Sequence, residues 1–275
     1  MKFLSKFYIG IIFLILYAPI LVVILFSFNE SGSLSTFGGF TLYWYEDLFQ
    51  NSEALTALQN SLILAVSSSL LATVLGTLAS FCIARAKKKY YQRMLEAVSN
   101  IPMMNPDIVT GVSMMLLFVG VASFLRLGES LGFWTMLIAH TTFNLPYVIL
   151  SVLPKFRQMD KNLTEAALDL GCTPVQTFFR VELPFIIPGI ISGLMMGFTL
   201  SLDDFVISHF VSSPDFKTLP LYIYTQTAHE VKFSMYALCT LMIVVILALL
   251  IAVNVAGSMG EQRARKKHLK AMGGN

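Results

Sequence analysis

The sequence predicts an all-α polytopic membrane protein with six transmembrane helices, and three observations carry that expectation. Of 275 residues, 56% are hydrophobic and 13% charged, with a mean hydropathy of +0.71, a balance outside that of ordinary globular domains. Six uncharged apolar stretches recur, each near the length of ~20 residues that crosses a hydrocarbon core as a helix. Lys and Arg are confined almost wholly to alternate loops, the asymmetry that sets orientation during insertion.

The first stretch runs from Phe7 to Phe28. It is too long for the apolar region of a secretory signal and leads into Asn29 and Glu30 rather than a small-residue cleavage site, so it reads as a span. The segment from Asn29 to Ala57 has four acids, no Lys or Arg, and the aromatic cluster "LYWYEDLF". That composition suits an interfacial belt or a helix lying on the membrane surface.

The second span is placed at 58–84 and the third at 103–125. Asn105, Pro106 and Asp107 make a helix start within it: a capping side chain, a proline in the first turn, and an acid favoured by the helix dipole. The fourth, 133–153, holds His140 and Asn144 one turn apart above Pro146, expected to bond each other or a neighbouring helix. The fifth, 185–208, spaces Gly189, Gly193 and Gly197 at intervals of four, a small-residue stripe where another helix can approach closely. The sixth is placed at 235–256. No linker or repeat divides the chain, so one transmembrane domain over 1–275 is expected. Cys82, Cys172 and Cys239 lack metal or redox spacing and read as small packing residues.

Sixteen of the 19 Lys and Arg fall before span 1, after spans 2 and 4, and after span 6; only Arg126, Lys217 and Lys232 fall on the other side. Both termini and the loops after spans 2 and 4 are therefore expected in the cytoplasm. The basic tail is what orientation alone requires, and no nucleic-acid partner is expected.

The cytoplasmic segment 155–184 is not built like its surroundings. Asn162 with Glu165 three residues on makes a capping box, and Gly171 supplies a left-handed position that ends the helix about two turns later. A second short helix opens at Thr173, with Pro174 in its first turn and Gln176 completing another box; Pro184 is expected to stop it. The first carries Leu163, Ala166, Ala167 and Leu170 at i, i+3, i+4, i+7. Helices this short are marginal in isolation, so the pair implies docking against another surface.

"EAALDLG", nine residues, then "VELP" resembles the signature of permease subunits of bacterial ABC-type importers: EAA, three residues, G, nine residues, I, one residue, LP. Val181 stands where the pattern has Ile. The resemblance implies the type I importer permease fold. It also implies that this segment is a coupling helix seated in a cleft of an ATPase subunit, with Glu165, Ala166, Ala167 and Gly171 as docking residues and Asp169 and Leu170 beside them. No GxxxxGK[ST] loop exists in the chain, so a separate ATPase pair supplies the energy, and ATP and magnesium belong to it rather than to this chain, which is expected to bind no cofactor. Six spans make a small pathway alone, and a second permease is expected.

In the fifth span Asp204 lies nearly on the glycine stripe and Asp203 about 100° away around the helix. An aspartate at mid-helix costs about 2.5–3.5 kcal/mol, so the pair either ends the span at the outer interface or faces a wet pathway. Carboxylates there favour a cationic cargo, and Asp107 is a third candidate. "FTLSLDDFVISHFVSSP", "PMMNPDIVTGVSMMLLF" and "LGFWTMLIAHTTFNLPYV" resemble polyamine (spermidine/putrescine) permeases from about Phe40 to Ala256. That implies two different permeases, an ATPase pair, an extracytoplasmic polyamine-binding protein, and residence in the bacterial cytoplasmic membrane. Trp44, Tyr45, Tyr222 and Tyr224 offer aromatic faces to ammonium groups. The competing classes are a permease for another small cation and an ion-coupled secondary transporter. "HEVKF" lacks the second histidine of a zinc site and no GxSxG occurs, which argues against an enzyme.

Overall fold

The computed structural model describes residues 2–33, 35–126, 131–228, 232–248 and 251. The end of the sixth expected span and the basic tail around Arg263 to Lys270 lie outside the described residues, as do His229, Glu230 and Val231 of "HEVKF". Among the described residues the only β pairings are two isolated bridges, Asn29 with Phe40 and Ser213 with Phe216. Twelve helices follow in order: α1 (Lys2–Phe26), α2 (Tyr43–Gln50), α3 (Ser52–Arg85), α4 (Lys89–Met104), α5 (Asp107–Leu125), α6 (Phe133–Gln158), α7 (Lys161–Asp169), α8 (Pro174–Thr177), α9 (Leu183–Asp203), α10 (Val206–Val211), α11 (Leu219–Thr227) and α12 (Phe233–Ala248). Among the described residues five helical stretches are long and apolar enough to cross a membrane, and α12 is a shorter apolar one.

The helices correct several expected boundaries. α3 is 34 residues long and begins at Ser52, ahead of the span at 58, because Asn51 Oδ1 accepts from the backbone N–H groups of Glu53 and Ala54 and starts the helix early. α4 was legible only as a basic loop. Its apolar residues Tyr91, Met94, Val98 and Ile101 recur at three and four, but the Gln, Arg, Glu, Ser and Asn between them dilute its hydropathy, and it buries no residue among those described. The third span starts at Asp107, not 103, since Asn105 and Pro106 both have extended ψ near 135°. The expected capping by Asn105 is replaced: its amide donates to Thr110 Oγ1 at 3.0 Å instead of accepting a backbone N–H.

The chain forms two compact units, one of Met1–Ala57 with Tyr222–Leu249 and one of Leu58–Leu221 with Leu250–Asn275. In the first, Asn29 is buried and organises the stretch after α1: its amide donates to the carbonyls of Ser33 and Thr36, and its Oδ1 accepts from Gly38 N–H. Phe28 stacks on Phe40 with ring centroids 4.9 Å apart. α1 presents Phe7, Phe13, Leu14, Leu16 and Leu25 outward, as a lipid-facing or partner-facing helix does.

The second unit is centred on α6 against α9. Gly189, Gly193 and Gly197 form one buried line, continued one turn on by buried Ser201. Opposite them run Val152, Val148, Asn144 and His140 of α6. A Cβ on Gly189 would lie 2.8 Å from the Ser151 carbonyl oxygen, and one on Gly193 3.2 Å from Val148 Cα. The glycines thus set how near the two backbones come. Gly76 of α3 gives Val148 the same allowance, and an apolar cluster of Ala72, Val148, Val152, Phe156 and Ile186 fills the space between α3, α6 and α9. The three cysteines are free; Cys82 is exposed rather than packed, and Cys172 and Cys239 are half-buried.

Candidate functional site

The capped segment after α6 folds as two helices joined by a sharp turn, with three local differences from the sequence reading. The first helix is capped by Asp160, whose carboxylate accepts from Asn162 N–H at 3.0 Å, not by Asn162 with Glu165. An acid two residues earlier is the better acceptor for the dipole's free N–H groups. Its other end is a Schellman turn: Gly171 N–H donates to the Leu168 carbonyl at 2.9 Å and Cys172 N–H to that of Ala167 at 3.1 Å. Gly171 itself takes φ +84°, with open space around its Cα. The second box forms as its sequence implies, with Gln176 N–H donating to Thr173 Oγ1 and Thr173 N–H to Gln176 Oε1.

Pro184 does not end the second helix. α8 passes through a π-turn, Phe178–Glu182, straight into α9, so that Pro174–Asp203 is one apolar helical run of 30 residues. The turn widens the ring to Leu183 N–H donating to the Phe178 carbonyl. That shift carries the carbonyl that would meet the pyrrolidine ring out of its way.

α7 divides the expected apolar stripe. Ala167 turns inward and is buried, whereas Glu165, Ala166, Asp169 and Gly171 are exposed and Leu170 is 86% exposed. Leu163, Ala166 and Leu170 therefore form an outward apolar edge flanked by Glu165 and Asp169. Behind α7 lies a cleft of about 430 Å³ lined by Arg85, Gln92, Arg157, Thr164, Glu165 and Glu182, among others. Two ion pairs frame it, Arg85 with Glu182 and Arg157 with Glu96. Glu182 fills the unspecified position of "VELP", and sequence reasoning gave it no role; the available signal was an acid flanked by apolar residues.

At the other end of α9 the backbone breaks at Asp204, with ψ 118°, and resumes as α10. The Asp204 carboxylate accepts from Ile207 N–H at 3.3 Å and Ser208 N–H at 2.8 Å, capping α10. Its Oδ2 lies 3.5 Å from His140 Nε2, and its side chain is almost fully enclosed. His140 completes a buried polar line: Nδ1 is 2.8 Å from Ser201 Oγ and Nε2 3.2 Å from Ser208 Oγ, while Ser68 Oγ donates to Ser201 Oγ at 3.0 Å. His140 thus meets neighbouring helices, as expected, whereas the amide of Asn144 pairs with neither His140 nor another described side chain. Asp203 is exposed, and so is Asp107 at the start of α5. The two neighbouring acids are therefore distinguished: one holds the helix break together, the other faces outward.

Three of the four aromatic candidates are anchored, and Tyr224 is exposed. Trp44 Nε1 donates to the Asn29 carbonyl at 2.8 Å, and Tyr45 OH lies 2.8 Å from Ser27 Oγ. Tyr222 is buried and accepts from Asn51 Nδ2 at 3.0 Å. Burial pushes its phenol above the usual range, the Asn51 bond opposing and Glu53 and Asp47 adding to the rise. Each keeps a ring but has its polar atom committed. Among the described residues no cluster of His, Cys, Asp or Glu could hold a metal ion.

Long apolar helices joined to a capped pair of short ones are the build of a membrane protein. The family described as binding-protein-dependent transport system inner membrane component matches residues 72–259, and the chain belongs to that family. It is a membrane permease subunit of the ABC-importer kind, an integral inner-membrane protein and a non-catalytic one. It is 36% identical over 231 residues to the putrescine transport system permease protein PotI of Escherichia coli K12, covering 84% of this chain and 82% of that one. It is 38% identical over 252 residues to the spermidine/putrescine transport system permease protein PotC of Haemophilus influenzae, covering 90% and 94%. Among solved structures it resembles, at a TM-score of 0.74, 17% identity and 95% coverage of each chain, a bacterial ABC transporter involved in the import of the acidic polysaccharide alginate. That likeness establishes the fold of an importer permease.

Proposed function

We propose that this chain is a permease subunit of an ATP-driven polyamine importer. It lines the route across the membrane with a second, non-identical permease and receives its driving force from an ATPase pair that docks on α7. The observation that carries the cargo is the 36–38% identity, over 84–90% of the chain, to permeases named for putrescine and spermidine. The outward edge of Leu163, Ala166 and Leu170, ended by the Gly171 turn, supports the docking role. It leaves α7 with an apolar surface that no described residue covers.

In this reading both termini and α7 are cytoplasmic, an extracytoplasmic binding protein delivers the amine, and nucleotide and magnesium are held by the ATPase alone. Asp203 is the carboxylate that meets the ammonium groups; Asp204 keeps the chain broken beside it so that Asp203 stands clear of a regular helix. Exposed Asp107 is a second acid available to the cargo.

The test is to reconstitute the chain with the proteins that co-purify with it and to follow spermidine and putrescine uptake alongside ATP hydrolysis. Uptake that stops when ATP is withdrawn under a sustained proton gradient, with hydrolysis stimulated by amine-loaded binding protein, supports the reading. Uptake that persists on the gradient alone assigns the chain to ion-coupled transport, and stimulation by a different cation reassigns the cargo.

A further inference from the structure

We propose that the ion pair between buried Glu182 and partly exposed Arg85 ties α7 to α3, so that displacement of the docking segment is delivered to two membrane helices rather than one. The inference rests on the docking reading above and deepens it by naming Glu182 as a positioning residue.

Glu182 sits in the π-turn that leads into α9, and its side chain is 2% exposed. A single oxygen, Oε1, takes both the Arg85 guanidinium and, at 3.5 Å, the Thr164 hydroxyl of α7. Three elements thus meet at one atom: α7, the base of α9, and the last residue of α3. Arg85 is fixed from a second side, its guanidinium lying 4.5 Å above the Phe81 ring. Phe81 in turn packs edge-on against Phe178 of the π-turn at 5.1 Å and Phe156 of α6 at 6.0 Å.

A carboxylate enclosed in this way is strongly disfavoured without its cation. When α7 and the π-turn move, Arg85 must follow, and α3 with it. Without the pair only the continuous helix would transmit motion, and α3 would be left to side-chain packing. Glu182 is not needed for docking: it is buried behind α7, whereas the exposed edge is on the opposite face. The π-turn supplies the remaining requirement, since a widened turn rotates the residues that follow it about the helix axis.

The experiment uses the complete transporter with wild-type chain, E182Q, T164V and the double variant in proteoliposomes. Co-purification of the ATPase, basal hydrolysis, hydrolysis stimulated by loaded binding protein, and amine taken up per ATP are read together. E182Q is expected to keep the ATPase bound and basal hydrolysis intact, while the stimulated-to-basal ratio and uptake per ATP fall about 2- to 30-fold, the span of effects for residues within a coupling network. T164V is expected to cause a smaller fall that adds little to E182Q, because both act through one oxygen. The charge exchange R85E/E182R is expected to restore part of the ratio lost in E182Q. An unchanged ratio in E182Q overturns the tie, as does loss of the ATPase in proportion to uptake, which would make the pair a structural staple. A wild-type complex without an ATPase overturns the docking reading as well, which separates the two failures.

Discussion

Alanine at the three stripe glycines of α9 should not have three equal effects, and the structure orders them. In a helix interior Ala is favoured over Gly by about 0.5–1 kcal/mol, so an alanine meeting nothing would stabilise. At Gly197 the added Cβ would find Asn144 Cβ at 3.5 Å and Ser69 Cβ at 3.7 Å, ordinary contact; G197A should be neutral to mildly stabilising. At Gly193 the nearest atoms are Val148 Cα and Cγ1, both at 3.2 Å, so α6 must yield by a few tenths of an ångström, cancelling the gain. At Gly189 the Cβ would meet the Ser151 carbonyl oxygen at 2.8 Å and Val152 Cα at 3.3 Å. A backbone carbonyl cannot swing aside as a side chain does. Overpacking costs about 1–3 kcal/mol, which the propensity gain offsets only in part, leaving G189A about 1–2 kcal/mol less stable. Thermal unfolding of the purified chain in detergent, followed by loss of the monodisperse peak in gel filtration, gives the order. G189A should fall by several degrees and G197A should not fall. A G189A midpoint equal to wild type, or a G197A lower than G189A, refutes the α6–α9 register.

Gly171→Val should place a β-branched residue at φ +84°, a strain of about 1–2 kcal/mol. Amine uptake should drop with the amount of inserted protein unchanged, while Gly171→Asn, which tolerates that backbone, should retain most of it. Asp204→Ala removes the acceptor of two backbone N–H groups and should cost about 1–2 kcal/mol in the same unfolding assay. Asp203→Asn should leave stability within about 0.5 kcal/mol yet raise the amine concentration needed for half-maximal uptake. Tyr222 has a folded phenol pKa above its unfolded one, so its contribution is complete below about pH 10 and is lost as pH climbs from there through the raised value. Tyr222→Phe should flatten that alkaline decline in stability, and tyrosinate absorbance should assign the late-titrating ring.

What could be read without coordinates was whatever local chemistry dictates. The glycine spacing of α9 announced its packing face, and Gly171, Thr173, Pro174 and Gln176 announced a turn that forms from their own hydrogen bonds. What could not be read depends on residues distant in sequence. Arg85 and Glu182 are ordinary in their own neighbourhoods, and only the fold brings them together. The same holds for Asp204: the helix period set it on the glycine stripe and Asp203 about 100° away, but only the fold shows it facing His140 and accepting the N–H groups of α10. α4 was hidden for another reason: an amphipathic helix that mixes apolar residues with Gln92, Arg93, Glu96, Ser99 and Asn100 has the mean hydropathy of a loop. The continuation of the helix through Pro184 required a π-turn, for which no residue pattern gives notice.

Thirty residues from Pro174 to Asp203 extend about 45 Å at 1.5 Å per residue, half as long again as a hydrocarbon core of about 30 Å. Roughly a third of the rod must stand outside the lipid, with nothing slack between its two ends. Rocking it by ten degrees about one end would sweep the other through about 8 Å, enough to open or shut a passage the width of an amine. A small tilt begun at the Pro174 end is in this way a large displacement at the Asp203 end.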